Sequence, residues 1–401
     1  MDLLTSKFFL LFRLVLGAGL ALAALLVFIP APTHLLWMVA LAVTEWGHWL
    51  TVLALALLVL GGFGFSDRAQ PSWIGFLGAL LCLIAAFLTL TPVMQAVLLA
   101  KELPSGLERS FGKAELPRAS DAARATPFAL TDLFMGVATP TIQPTSVIYN
   151  KADGEDLSLD LYKPSPTASS SNLRPVVLVI HGGSWQTGDN SEFGAFNRFL
   201  AGRGYLVAAM NYRLAPKHKF PAAFEDVKRA IAYLKTHAAD LGIDGNRLVL
   251  LGRSAGAQLA LLGGYVAGNS EVRGVISFYG PPDLRFSYTF PANPAVLDSR
   301  GLLKAYLGSD PDNMPQPYLA ASPFYFVGST TPPTLLIHGG RDELVAQEQS
   351  ERLAVRLASY GRKQYLLTMP WATHSCDLNF SGPCGQLSTY AIERFLAAVT
   401  K

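Results

Sequence analysis

From residue 145 onward, short apolar runs alternate with amphipathic stretches. Residues 157–162 alternate apolar and polar positions, the pattern of a half-exposed strand. Residues 175–180 (PVVLVI) form a continuous apolar run, as expected of a strand buried on both faces. Further short β-like runs occupy 205–210, 247–251, 274–279, 333–338 and 364–369, and helical periodicity fills about 191–202, 222–239, 255–267, 344–360 and 386–399. This alternation predicts an α/β fold: a mainly parallel sheet with helices on both faces and right-handed crossovers.

The first hundred residues follow another pattern. A membrane-spanning helix needs about 20 mostly apolar residues, and three stretches meet that length. One is 8–29, interrupted by Arg13. A second lies within 35–65 and carries Glu45-Trp46-Gly47-His48-Trp49 at its middle. The third is 73–92, extending to 100 if the helix continues past Pro92. The second is too long for one simple crossing. Either it tilts, or its first part lies along the interface and the crossing runs over 47–65, an arrangement that the interfacial preference of tryptophan favours. Glu45 and His48 then read as interfacial anchors rather than an intramembrane functional pair. Residues 27–32 lack a small-x-small cleavage site, so 8–29 reads as a crossing and not as a cleaved leader.

Charge sharpens this division. Residues 1–100 carry only Asp2, Lys7, Arg13, Glu45, Asp67 and Arg68, while the remaining three hundred carry 55 charges. The chain therefore divides into a transmembrane segment (1–100), a proline-punctuated linker (101–144) with one short helix near 127–136, and a globular domain (145–401). Lys7, Arg13 and Arg68 place the amino terminus and the second loop inside. Three crossings then put the globular domain outside, in the periplasm if the cell is bacterial and the membrane its inner one. Lys101, Arg109, Lys113 and Arg118 oppose this bias, but long domains translocate largely regardless of charge. A net charge of +3 gives no electrostatic case for nucleic acid. Three cysteines make neither a disulfide scaffold nor a zinc site. Cys376 and Cys384 either pair in an oxidising compartment or stand as free thiols, and both readings stay open.

The chemistry lies after the strands. Gly252-Arg253-Ser254-Ala255-Gly256 follows the run 247–251 and opens a helix, which is G-x-S-x-G in the strand–turn–helix context it requires. The strand 175–180 leads into His181-Gly182-Gly183-Ser184-Trp185. Glycines there let backbone N–H groups face a site, and Gly183, Ser184 and Ala255 are the candidate oxyanion-hole donors, with His181 a structural residue. Asp342 follows the run 333–338 and His374 follows 364–369. Serine, acid and histidine thus come in chain order at the carboxyl ends of successive strands, where binding crevices of such sheets lie. Ser254, Asp342 and His374 are therefore the candidate catalytic residues. Glu343 is the alternative acid, and Asp342 is preferred because Val345, three residues on, restores the apolar helix start.

Residues 145–400 resemble the α/β-hydrolase superfamily, in the esterase and lipase branch related to hormone-sensitive lipase and bacterial carboxylesterases. The resemblance is carried by HGGSW (181–185), NYRLAP (211–216), FPAAFEDV (220–227), GRSAG (252–256), HGGRDELV (338–345) and the His374 segment. It implies an enzyme hydrolysing small-molecule or lipid carboxylic esters through an acyl-serine, with no cofactor and no metal. It does not cover the membrane segment, which the apolar stretches above add as an anchor. The oligomeric state is left open. A prolyl-oligopeptidase-like peptidase, a membrane-bound acyltransferase and a non-catalytic binding protein are the alternatives on the same fold. Three departures stand out. Ser184 replaces the third glycine of many relatives, and Asn211 stands where they often carry aspartate. Arg253 occupies the variable position beside the nucleophile, either to attract anionic substrates or, the favoured reading, to pair with a neighbouring carboxylate. Tyr212, Arg213 and Asp226 read as scaffold, with an Arg213–Asp226 ion pair expected. The insertion 281–326, rich in aromatics (Phe286, Tyr288, Phe290, Tyr306, Tyr318, Phe324, Tyr325, Phe326), is expected to lid or wall the site.

Overall fold

The computed structural model describes residues 7–60, 65–67, 70–71, 73–114, 124–164, 173–266 and 272–401. Arg68, Pro117, Arg118 and the serine-rich run 165–171 lie outside them. Four apolar helices come first: α1 (Lys7–Leu25), α2 (His34–Glu45), α3 (Gly47–Leu60) and α4 (Trp73–Phe111). Between α3 and α4, β1 (Phe65–Asp67) pairs antiparallel with β2 (Gln70–Pro71). α1 and α3 pack on the first half of α4 through Leu20, Ala21, Ala54, Leu57, Ala79, Cys82 and Ala85. Their other faces present Phe8, Val15, Leu22, Val59 and Phe87 outward. Helices apolar on every side are those of a hydrocarbon environment or a deep core.

α1 and α4 are each long and apolar enough to cross a membrane, whereas α2 and α3 reach that length only as a pair bent by 78°. The bend falls at Trp46, within the Glu45–Trp49 segment. α2 therefore lies across the direction of α3. α4 departs from the expected boundaries. It runs on to Phe111 through Pro92 and Pro104, where the third crossing was expected to end at 92 and a linker to begin at 101. Each proline removes a helical hydrogen bond. Burial of Leu103, Leu107 and Phe111 against the globular domain, with Phe111 edge-on to Phe395 at 4.8 Å, holds the last turns in place. The short helix expected near 127–136 is α5 (Leu130–Met135).

Among the described residues the globular domain is built on eight strands: β3 (Thr145–Ala152), β4 (Glu155–Tyr162), β5 (Arg174–Ile180), β6 (Leu206–Met210), β7 (Ile243–Arg253), β8 (Val272–Phe278), β9 (Thr334–Gly339) and β10 (Gln364–Met369). Their order is β10-β9-β8-β7-β5-β6-β4-β3. β5 to β10 are parallel and β4 runs antiparallel to both β3 and β6. The helices are α6 (Gly194–Gly202), α7 (Ala222–Thr236), α8 (Ala238–Leu241), α9 (Ala255–Val266), α10 (Leu284–Thr289), α11 (Ser299–Leu307), α12 (Pro315–Ala320), α13 (Glu348–Ser359) and α14 (Pro383–Val399).

Side chains alternate across the sheet as the strand period demands. Val176, Leu178 and Ile180 join the core beneath α7, α9 and α13, while Val177 and Val179 join the one beneath α6 and α14. The second core also takes in Ala96, Leu103, Leu107 and Phe111 of α4, so the long helix is part of the globular domain's packing.

Candidate active site

Ser254 stands between β7 and α9 with φ +53°, a left-handed conformation that few side-chain-bearing residues adopt. Its glycine neighbours are required by close approach. A Cβ on Gly252 would lie 2.1 Å from the Gly256 carbonyl oxygen, and one on Gly256 would lie 2.2 Å from that of His181. The turn thus sits against the end of β5, and the seryl hydroxyl stands at the carboxyl end of the sheet.

His374 and Asp342 come to it from the loops after β10 and β9. The Ser254 hydroxyl donates to His374 Nε2 at 2.9 Å, and His374 Nδ1–H donates to Asp342 Oδ2 at 2.7 Å. Asp342 Oδ1 accepts the backbone N–H of Leu344 and of Val345, each at 2.9 Å, and His338 Nε2 lies 3.2 Å from Oδ2. Burial alone would raise this carboxyl, yet the His374 and His338 rings and their hydrogen bonds hold it well below the usual carboxylate range. Glu343 turns away and accepts the N–H of Ala31. The structure thus brings Asp342, not Glu343, to the histidine.

Gly183, Ser184 and Ala255 line the same cavity as Ser254 and His374. Ser184 and Trp185 both have positive φ, at +53° and +61°. Trp185 is fixed by its indole N–H to Gln258 Oε1 at 2.9 Å and by stacking on Tyr306 at 4.4 Å. His181 stacks on Tyr212 at 4.2 Å, and the Tyr212 hydroxyl donates to the carbonyls of His181 and Gly182. Burial pushes the His181 ring down to about 4, so it is neutral and structural. The Arg213–Asp226 ion pair forms at 2.8 Å.

Arg253 pairs with a carboxylate that the sequence did not single out. Its Nε donates to Asp377 Oδ2 at 2.6 Å, and its guanidinium stacks on Phe193 at 3.9 Å. Asp377 also accepts the Tyr279 hydroxyl at 2.6 Å, and the Tyr279 ring lies 4.4 Å from His374. The adjacent Cys376 is disulfide-bonded to Cys384. Neither Asp377 nor Tyr279 carries a local motif; proximity to His374 in the chain was the one available signal for Asp377.

The cavity over Ser254 has a volume of about 660 Å³. The insertion walls it, as expected, but through Pro281, Ser287, Leu297, Ser299, Leu302 and Leu303. Among the described residues, none of the eight insertion aromatics lines it. Tyr306 and Tyr318 are fully buried in the core, where ring area is best spent. The opposite wall is Trp37, Met38 and Leu41 of α2, a contribution that nothing in the sequence marked.

Residues 159–357 match the BD-FAE family. The chain is 30% identical over 257 residues to the probable carboxylic ester hydrolase LipM of Mycobacterium tuberculosis, which covers 60% of this chain and 58% of that protein. It is 30% identical over 267 residues to esterase LipC of the same organism, covering 63% and 64%. The chain thus spans about three fifths of the length of these relatives. Among solved structures, an esterase of Pyrobaculum calidifontis superposes with a TM-score of 0.56 and 25% identity, over 65% of this chain and 86% of that one.

Proposed function

The chain belongs to the esterase and lipase branch of the α/β-hydrolase superfamily, and from that premise we propose that it is a membrane-anchored serine hydrolase of carboxylic esters. The observation that carries the reading is the hydrogen-bonded series Asp342–His374–Ser254 at 2.7 and 2.9 Å, at the wall of an apolar cavity. In the proposed reaction Ser254 Oγ attacks the ester carbonyl carbon while its proton passes to His374 Nε2. Asp342, held ionised, orients the ring and stabilises its imidazolium form. The N–H groups of Gly183, Ser184 and Ala255 receive the charge that develops on the carbonyl oxygen. His374 then gives its proton to the departing alcohol oxygen. It next takes one from water, which attacks the acyl carbon, and returns that proton to Ser254 Oγ as the acyl–oxygen bond breaks and the acid leaves.

The membrane part of the reading is supported by the two long apolar helices and the bent pair between them. In it, α1, α3 and α4 cross and α2 lies at the surface, with the catalytic domain outside the cytoplasm. The enzymatic part is tested with the full-length protein in detergent. Wild type should hydrolyse p-nitrophenyl esters and be labelled by a fluorophosphonate probe, and Ser254→Ala should do neither. Labelling of the alanine variant at full strength would remove Ser254 from the nucleophile's role. Product analysis with an added alcohol decides whether water or an alcohol accepts the acyl group.

A further inference from the structure

One wall of the cavity over Ser254 belongs to the membrane segment, and it is firmly built. At the start of α2, the His34 N–H donates to the Ala295 carbonyl at 3.0 Å, and Asn293 Nδ2 donates to the Pro32 carbonyl at 3.3 Å. At its end the Glu45 carboxyl group is fully buried. It accepts the Trp371 indole N–H at 3.2 Å and, at the first turn of α14, the Cys384 N–H at 3.1 Å. Asn379 Nδ2 donates to the Glu45 carbonyl at 2.8 Å. Between these ends the Trp37 indole N–H donates to Thr373 Oγ1 at 2.9 Å, one residue before the catalytic histidine. Burial raises this carboxyl to about 8, so it is largely uncharged near neutral pH. A buried polar group stripped of such donors is still costly, so α2 is a fixed wall.

The rim of the cavity is apolar. Of the lining residues, Met38 is 45% exposed and Leu378, just beyond Asp377, is 58% exposed. The apolar surface continues outward from this rim. α2 carries no lysine or arginine, and Leu35 and Leu36 face out beside Met38. Past the 78° bend, Trp49 stands exposed on the first turn of α3, at the level that tryptophan favours in bilayers. On the globular side, α5 presents Leu130, Phe134 and an 86%-exposed Met135, with Phe134 edge-on to Trp49 at 5.0 Å. Facing water, such a surface costs about 25 cal/mol per Å². Facing acyl chains it costs nothing. The active-site rim and the entry of α3 into its apolar bundle thus lie on one continuous surface.

We infer that the substrate is a bilayer-resident amphiphile, a carboxylic ester whose acyl chain passes the rim at Met38 and Leu378 and settles against Trp37, Leu41 and Leu303. Its ester carbonyl reaches Ser254 while its polar end stays at headgroup level. The inference rests on the esterase and membrane readings above and adds the substrate's physical class and its route.

The test uses full-length protein in phosphatidylcholine nanodiscs, with p-nitrophenyl butyrate supplied from solution and p-nitrophenyl dodecanoate carried in the disc. The dodecanoate should be preferred in kcat/KM by about tenfold or more, the discrimination that added methylenes bring in an apolar pocket. Met38→Trp, which fills the rim, should lower the dodecanoate-to-butyrate ratio by about the same factor. Leu41→Ala, which opens the wall, should keep or raise it and serves if the tryptophan variant does not fold. An enzyme that hydrolyses butyrate without preferring dodecanoate, or a ratio unmoved in a Met38→Trp protein that still takes a fluorophosphonate, would overturn the inference and leave the esterase reading standing. Absence of both hydrolysis and probe labelling in the wild type would overturn the two together.

Discussion

At the scale of single residues, Asp342 answers to four donors, and its ionised state is what the proposed mechanism depends on. Asp342→Asn keeps the volume but presents an amide where His374 Nδ1–H now donates, so the ring loses the tautomer that lets Nε2 accept from Ser254. Turnover should fall by about three to four orders of magnitude, with thermal unfolding little changed. Glu343→Gln should leave turnover near wild type, because Glu343 accepts the Ala31 N–H and does not reach the histidine. Equal losses in the two variants would contradict this assignment. His181 gives a pH prediction of definite sign. Its ring is pushed by burial from 6.5 to about 4, so between those values the unfolded chain binds a proton that the folded one does not. Stability is therefore full above pH 6.5 and is lost as the pH falls toward 4, by up to about 3 kcal/mol if this group acts alone. Chemical denaturation at pH 7.5 and at pH 5 should show the loss, and His181→Asn should flatten it. The convergence of Ser254, Asp342 and His374 was legible in the sequence, since each follows a strand in the order that the proposed chemistry needs.

At the scale of elements, the strand that leads into Ser254 and the loop that carries His374 are tied by Arg253 and Asp377, both nearly inaccessible to water. Removing one partner of a buried pair costs about 3–5 kcal/mol, while replacing both with uncharged groups is often close to neutral. Asp377→Asn alone should therefore lower the urea midpoint strongly and slow turnover, because Tyr279 and the His374 loop lose a shared anchor. Arg253→Met together with Asp377→Asn should recover much of the stability, and the double-mutant cycle reads the coupling. Additive losses would mean that the pair does not tie the two elements. This contact was invisible in the sequence for a physical reason. Arg253 and Asp377 are 124 positions apart, and an arginine advertises the need for a carboxylate without naming it. The strands were easier to read, because inner parallel strands such as β5 and β6 are buried on both faces and must be almost wholly apolar. β3 was missed: Thr145–Ala152 mixes Asn150 and Lys151 with its apolar residues, as suits a strand at the sheet's edge. The insertion aromatics misled because a buried aromatic and a ligand-facing one share the same sequence signal, and only packing separates Tyr306 on Trp185 from the leucines that face the cavity.

At the scale of the molecule, α4 joins two environments without a break. Its 39 residues extend about 58 Å at 1.5 Å per residue, against a hydrocarbon layer of about 30 Å. If α4 crosses as proposed, about half of it stands beyond the layer, and that half carries Leu103, Leu107 and Phe111 into the globular core. That continuity was obscured in the sequence by Pro92 and Pro104, whose local cost is met by tertiary burial. The helix ends also divide between two sides. Arg13 of α1 donates to the Gly75 carbonyl at the start of α4, so those ends lie together. Ala31 and α2, at the other end of α1, contact the globular domain. With α1, α3 and α4 crossing, the amino terminus and the catalytic domain face opposite sides of the membrane. Lys7 and Arg13 bias the amino-terminal side to the cytoplasm, so the proposed topology has the globular domain outside. The Cys376–Cys384 disulfide suits that compartment, since cytosolic thiols are kept reduced. The exposed carboxyl terminus at Lys401 is a suitable reporter position. In a bacterial host, alkaline phosphatase fused after residue 401 should be active, and a fluorescent protein exported there unfolded should be dark. A bright fluorescent fusion with an inactive phosphatase would reverse the orientation and leave the disulfide in a compartment that reduces it. The contacts of α2 with the globular domain would stand either way, because they hold the two together in whichever orientation the chain takes.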